Sequence, residues 1–251
     1  MRVGIISRRD REKALETARN IFDILKEKYE VYFDDSLTSF FMNSKYSSKK
    51  GDVELLISIG GDGTILKSVR KYKDTPILGV NVGTIGYLSE ISPKEISSLL
   101  HIIENHTIEE RSMISCTIGN RTIEALNDIV IRTEVATRVS QVNVEISGQK
   151  YIISGDGVII TTPTGSTAYS YSAGGPIIRP NSQEFGITPI CPLYRKASPI
   201  VFPDHEDVVV TALDKSCTIV ADGFPEGTMN PGDKIEIKKS ALKARFVKKW
   251  S

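Results

Sequence analysis

Cysteine is scarce in this 251-residue chain. Cys116, Cys191 and Cys217 are far apart and odd in number, which fits neither a disulfide framework nor a zinc-ligand spacing. A reducing compartment, the cytoplasm, is the expected setting. Histidine is as rare, and His101, His106 and His205 are scattered, as surface residues rather than ligands. Charge of one sign is also missing: the net charge is +1, so no general basic field points to nucleic acid. The tail is locally basic, but there Ile237, Leu242 and Phe246 interrupt the lysines in the manner of a strand with one solvated face. No apolar run approaches the ~20 residues of a membrane helix, and Met1–Ser7 reads as a short strand followed by charge, not as a signal peptide. What remains is ordinary for a soluble globular protein, with 40% hydrophobic and 25% charged residues.

Two patterns divide the chain near residue 107. Before it, strands and helices alternate. Val3–Ser7 is a strand, and apolar residues at 14, 18, 21, 22 and 25 give one face of a helix over 10–29. Val31–Phe33 is a short strand, and the Ser- and Lys-rich residues 34–51 read as a mobile loop. A strand over 53–59, a helix over 64–73 and a strand over 77–81 follow. Ser92, Pro93 and Glu95 form a capping box that opens another helix, with Ile96, Leu99, Leu100 and Ile103 on its buried face. This alternation implies an α/β domain with a mostly parallel sheet, whose ligands bind beyond the carboxyl ends of the strands. Beyond residue 108, short alternating runs (142–146, 151–153, 158–161, 208–212, 217–220, 234–238) separated by turns imply a second, mainly β domain over 108–251.

Both glycine turns of the first half fall at strand ends. Gly60-Gly61-Asp62-Gly63-Thr64 follows the apolar run Val53–Ile59, and Gly83-Thr84-Ile85-Gly86 follows Ile77–Asn81. Glycines at such a place let polyphosphate approach peptide N–H groups, and the following helix offers its N-terminus to the anion. A carboxylate there repels phosphate unless it has a task. Asp62 can deprotonate an attacking hydroxyl or hold a phosphate-bridging metal ion; the plainer reading is a tight turn with Asp62 as a helix cap. The string matches neither the P-loop nor the dinucleotide Gly-x-Gly-x-x-Gly fingerprint.

The second half supplies polar groups suited to a nucleotide. Residues 161–176 (Thr-Thr-Pro-Thr-Gly-Ser-Thr-Ala-Tyr-Ser-Tyr-Ser-Ala-Gly-Gly-Pro) crowd short hydroxyl side chains that can bond ribose and phosphate oxygens, with Tyr169 able to stack on a flat base. Asn127-Asp128 precedes the apolar run 129–131, and Asp156 stands between Gly155 and Gly157. Asp222-Gly223 taken alone reads as a turn.

The segments Gly60–Thr64, Gly79–Leu88, Leu126–Asp128, Ser154–Gly157 and Thr162–Ser170, in that order, resemble the NAD kinase family over roughly residues 3 to 240. The glycine turn is shared with diacylglycerol, sphingosine and phosphofructo-kinases; Thr-Pro-Thr-Gly-Ser-Thr-Ala-Tyr-Ser is specific to the NAD kinases. The resemblance implies transfer of the terminal phosphate of ATP, or of polyphosphate, to the 2′-hydroxyl of the adenosine ribose of NAD, giving NADP, with a divalent metal such as Mg²⁺. It implies Asp62 as general base, Gly63 near the diphosphate and Lys67 on phosphate. Asn127 and Asp128 would hold an adenosine or nicotinamide-side moiety, Asp156 the polar end of the substrate, and Thr164, Ser166, Thr167, Ala168, Tyr169, Ser170, Tyr171 and Ser172 would line the pocket. Arg138 matches a polar or basic contact position, and Asp222 is a further candidate.

The match has departures. Ser154 stands where many members carry Arg, and Cys191 and Phe224 fall near pocket positions that vary in the family. Many members also continue past the position of Ser251 with a helix that returns to the first domain. A homodimer or homotetramer built through the β domain is implied, with no nucleic acid and no membrane as partner.

Two other readings compete. A lipid or sugar kinase would share the glycine turn but lack Asn127-Asp128 and Thr162–Ser170. A non-catalytic NAD-sensing module would have lost Asp62.

Overall fold

The computed structural model describes residues 1–47, 50–84, 86–135, 138–193 and 197–250. Ile85 of the second glycine turn lies outside them. The chain divides into two compact units, residues 1–110 with 244–251, and residues 111–243.

In the first unit the elements are β1 (Arg2–Ser7), α1 (Glu12–Leu25), β2 (Glu30–Asp34), β3 (Lys45–Ser47), β4 (Leu55–Gly60), α2 (Asp62–Lys71), β5 (Ile77–Asn81) and α3 (Leu99–Glu104). The sheet order is β5-β4-β1-β2-β3, and every pairing is parallel. Residues 244–249 add a further parallel strand beside β5, with Phe246 opposite Ile77. Residues 244–249 therefore return the chain to this unit as a strand. Side-chain alternation sorts the two faces. Val3, Ile5, Ile57, Ile59, Leu78 and Val80 pack with Ala14, Ala18, Ile21 and Leu25 of α1 and with Leu99, Ile102 and Ile103 of α3. The opposite face receives α2, whose Ser68 meets Ser58 of β4 through a buried hydroxyl pair at 2.9 Å.

Residues 34–47 carry more order than their composition suggests; Ser48 and Lys49 of the expected loop lie outside the described residues. A single 3₁₀ turn covers Asp35–Leu37, and β3 extends the sheet beside β2 with Phe33 opposite Tyr46. Phe41 stacks on Phe33 at 4.0 Å between ring centroids. Asp34, 2% exposed, accepts from Lys71 Nζ at 2.6 Å, Tyr72 Oη at 2.7 Å and the Ser36 amide at 2.9 Å. Burial pushes the Asp34 carboxyl up, but these bonds outweigh it and leave it below the ordinary range. The same contacts tie the C-terminal end of α2 to β2. The capping box Ser92–Glu95 is present, but it opens a 3₁₀ stretch, Pro93–Ser98, before α3 begins.

The second unit is two antiparallel sheets. Its elements are β6 (His106–Ile118), β7 (Arg121–Ala125), β8 (Asp128–Thr133), β9 (Ser140–Ile146), β10 (Gln149–Gly155), β11 (Gly157–Thr161), α4 (Tyr169–Ser172), β12 (Glu184–Ile190), β13 (Ile200–Pro203), β14 (Val208–Ala212), β15 (Cys217–Ala221), β16 (Phe224–Met229) and β17 (Lys234–Lys249). One sheet runs β10-β9-β14-β17, with the β6–β7 hairpin joined to β17. The other runs β13-β12-β11-β8-β15-β16. Ile129, Ile131, Val158, Ile160, Phe185 and Ile219 of the second sheet share one core with Val142, Val144, Val210, Ile235 and Ile237 of the first. Val130 and Ile159 point the other way, and with Ile190 and Ala173 they form a separate small core. That outer face carries the hydroxyl-rich segment.

Candidate active site

In the first unit, β4 delivers the glycine turn and α2 starts at Asp62, two residues earlier than the hydrophobic period implies. Gly61 is the N-cap and makes no side-chain capping bond. Asp62 is therefore not the helix cap. Its carboxylate instead accepts the amide of Tyr87 at 3.1 Å and that of Leu88 at 3.2 Å, both from the loop after β5. The residues just after the second glycine turn thus orient the carboxylate of the first. Gly60 is needed for close approach, because a Cβ there would lie 2.2 Å from Thr64 Oγ1, whereas one at Gly63 would meet open space. Half-buried Asp62, exposed Gly63 and exposed Lys67 one turn on make an open, polar end of the sheet. The first amides of α2 face that end, a suitable seat for an anion.

In the second unit, Asn127 and Asp128 open β8, and their backbone is held on both edges. Asp222 accepts the amides of Leu126 (2.8 Å), Asn127 (2.7 Å) and Asp128 (3.3 Å). Thr162 Oγ1 donates to the Leu126 carbonyl at 2.5 Å, and the Thr162 amide donates to the Asn127 carbonyl at 2.9 Å. Asp128 is 5% exposed. Burial, and then the negative charge of Asp222, push its carboxyl up to about 7. Asp222 and Gly223 are the two-residue turn between β15 and β16, with φ of 49° and 82°, and half-buried Phe224 follows them.

The hydroxyl-rich segment separates into two sets. Ser166 is buried, donates to the Pro163 carbonyl at 2.7 Å and accepts the Ile178 amide at 2.9 Å. Ser170 is buried against Thr188 Oγ1 at 2.8 Å. These two hydroxyls, expected to line a pocket, are engaged in building the segment. Gly165 lets it lie on Asn127, whose carbonyl oxygen would be 2.0 Å from a Cβ. Half-buried Thr164 and Ala168 and exposed Thr167, Tyr169, Tyr171 and Ser172 make up the accessible face. Thr167 Oγ1 donates to the Thr164 carbonyl and Ser172 Oγ to that of Ala168, both at 3.3 Å.

The remaining candidates gather elsewhere. Asp128 lies opposite Thr161, and Arg132 opposite Gly157, so Asp156, beside Thr133, sits just past the far end of the β8–β11 pair, roughly 17 Å from Asp128 at strand spacing. There the Asp156 amide donates to the Ile190 carbonyl, next to exposed Cys191, and the Thr133 amide donates to the Asp156 carbonyl, both at 2.9 Å. Half-buried Ser154 closes β10 nearby, and exposed Arg138 follows β8 with its amide on the Val135 carbonyl. Asn127, Asp128, Asp222, Phe224 and the 162–172 segment form one group; Ser154, Asp156, Cys191 and Arg138 form another.

Residues 3–108 match the model of the ATP-NAD kinase N-terminal domain and residues 126–249 that of the C-terminal domain. The chain belongs to the NAD kinase family. An NAD kinase of Thermococcus sibiricus is 39% identical over 99% of this chain and 94% of its own, and one of Thermococcus gammatolerans is 38% identical at the same coverage. An NAD kinase from Archaeoglobus fulgidus, solved in complex with ATP, superposes with a TM-score of 0.82 at 28% identity over 99% of this chain and 94% of that one. Yeast NADH kinase, solved with NADH, shares the fold at a TM-score of 0.89 and 24% identity over 100% and 84%. Like other members of the NAD kinase family, this protein is an enzyme that phosphorylates NAD in an ATP-dependent reaction. The lipid- or sugar-kinase reading is set aside by the match of both domains.

The packing role of Ser68 and the reach of Asp222, itself already a candidate, escaped the sequence reading. Ser68 falls on the buried face of α2 with Ile65 and Val69, and a polar residue at a buried helical position was the available signal. The reach of Asp222 to residues 126–128 had no local signal, since the partners are 94 to 96 positions apart.

Proposed function

We propose that Asp62 is the general base of the reaction. The observation that carries this is the pair of amides from Tyr87 and Leu88, which hold a half-exposed carboxylate at an N-terminus suited to phosphate. Asp62 takes the proton of the ribose 2′-hydroxyl, and that oxygen forms a bond to the terminal phosphorus of ATP. The bond from that phosphorus to its bridging oxygen breaks, and ADP leaves with the electron pair. Gly63 leaves room for the phosphates, and Lys67 neutralises their charge. Transfer of this kind depends mainly on positioning and charge compensation.

Asn127 and Asp128 bind the adenosine or nicotinamide side of the dinucleotide, with Thr164, Thr167, Ala168, Tyr169, Tyr171, Ser172 and Phe224 around it. Ser166 and Ser170 contribute by shaping that segment. Asp156, with Ser154, Arg138 and Cys191, serves the polar end of the substrate.

Among the described residues no three His, Cys, Asp or Glu side chains gather as metal ligands. A divalent ion such as Mg²⁺ would come to the reaction with the nucleotide phosphates. Bound there, the ion would supply neutralisation of phosphate charge. The active unit is a homodimer or homotetramer formed through the β domain, and the donor is ATP, with polyphosphate as a second donor to be tested.

The deciding experiment is Asp62→Asn, assayed for NAD binding by calorimetry and for NADP formation with ATP and with polyphosphate. Retained binding with lost turnover is expected. Turnover at the wild-type rate removes Asp62 as the base.

A further inference from the structure

We infer that Asp222 is a positioning residue of the dinucleotide site, its carboxylate fixing the backbone of residues 126–128 so that only the side chains of Asn127 and Asp128 are offered to the substrate. The inference rests on the reading that these two side chains contact NAD.

Every backbone polar group of the three residues is taken. The three amides donate to Asp222, two to Oδ1 and that of Leu126 to Oδ2. The Leu126 carbonyl accepts from Thr162 Oγ1, the Asn127 carbonyl from the Thr162 amide and Thr161 Oγ1, and the Asp128 carbonyl from the Asp222 amide at 3.0 Å. A neutral side chain could not do the same. An amide has one acceptor oxygen, and its NH₂ group would face a backbone N–H. The tight Asp-Gly turn supplies the rest of the geometry, since both residues have positive φ and aim the side chain back across β15 at the start of β8.

The clamp has an electrostatic consequence. Asp128 lies opposite Thr161 of β11, while Ala221 of β15 lies opposite Ile129; neither brings charge, and Asp222 is the charged group that acts on Asp128. Burial and that charge bring Asp128 to the point where it exchanges its proton near neutral pH. Asp222 therefore holds the backbone that carries Asp128 and adds to the burial that raises its carboxyl.

The test uses the full chain, with kcat and KM for NAD measured from pH 6 to 9. Asp222→Asn is expected to raise KM by roughly tenfold, the equivalent of one lost charge-assisted hydrogen bond, with a smaller change in kcat. The inflection of KM with pH moves to lower pH, because the charge beside Asp128 is gone. Asp222→Glu keeps the charge and displaces the carboxylate, so KM rises and the inflection stays; this variant also carries the test if Asp222→Asn does not fold. A variant that only loses active protein, with KM and inflection unmoved, overturns the inference, and so does a wild-type KM in Asp222→Glu. Asn127→Ala separates the two levels. If it raises KM while Asp222→Asn does not, the clamp is wrong and the substrate reading stands; if it leaves KM unchanged, both fall.

Discussion

Replacing Asp128 by Asn should stabilise the protein, and by more at high pH than at low. The carboxyl is pushed from an ordinary 3.8 to about 7 by burial and then by Asp222. Below pH 3.8 it is protonated in both the folded and unfolded states and costs nothing. Between the two values the unfolded chain has lost the proton and the folded protein still holds it, so stability falls as pH rises. Above 7 the full penalty is present, about three pH units at 1.36 kcal/mol each, or about 4 kcal/mol. At pH 5 less than half of that has accrued, so the gain from a neutral isostere grows by about 2–3 kcal/mol between pH 5 and pH 8. For a chain of this size the difference in Tm between variant and wild type should widen by about 5–10 °C. Thermal melts of both proteins without nucleotide, at pH 5 and pH 8, make the comparison. A Tm difference that is the same at both values refutes the buried, charge-coupled picture of Asp128.

Further expectations concern packing and stacking. Gly165→Ala would drive a Cβ into the Asn127 carbonyl at 2.0 Å, so a lower Tm and a higher KM for NAD are expected together; an unaltered KM would show that the segment can shift freely. Tyr169, 41% exposed, offers a face for a base, and Tyr169→Ala should weaken NAD binding by roughly 0.5–1.5 kcal/mol beyond the lost area. Calorimetric titration with NAD measures it, and an equal Kd removes the residue from the pocket. Ser68→Ala strands Ser58 Oγ in a buried place, and a cost of about 1–3 kcal/mol in chemical denaturation follows from the unsatisfied hydroxyl.

Periodicity was a good guide wherever one face of an element meets a single core. The apolar positions of α1 fall on its buried face, and the alternation of 142–146 reappears in β9. It failed where the partner decides. Lys45–Ser47 has no strand pattern, and it is ordered by the free edge of β2 and by Phe41 on Phe33. The first turn of α2 is polar because it faces the site, so the hydrophobic period places the helix start two residues late. The capping box at Ser92 was legible, yet the 3₁₀ form of the turns that follow was not, because the same cap serves either helix. In the site, the composition of 161–176 marked a polar surface. Which hydroxyls are consumed inside the protein depends on the sheet beneath, where Thr188 receives Ser170. The Asp222-Gly223 turn was equally plain, but its carboxylate acts on a segment brought near only by the pairing of β15 with β8.

The last strand of the first unit comes from the far end of the chain. Phe246 lies beside Ile77, Lys248 pairs with Glu90 at 2.8 Å and Lys249 with Glu95 at 2.6 Å. During synthesis, residues 1–110 leave the ribosome long before this strand exists. At about 5–20 residues per second, the interval is on the order of ten seconds. Throughout it, β5 presents an open edge, while the intervening β unit can complete its own pairing. The unit that carries Asp62 is thus the last to finish, and released chains truncated before residue 244 should hold a complete second unit beside an incomplete first one.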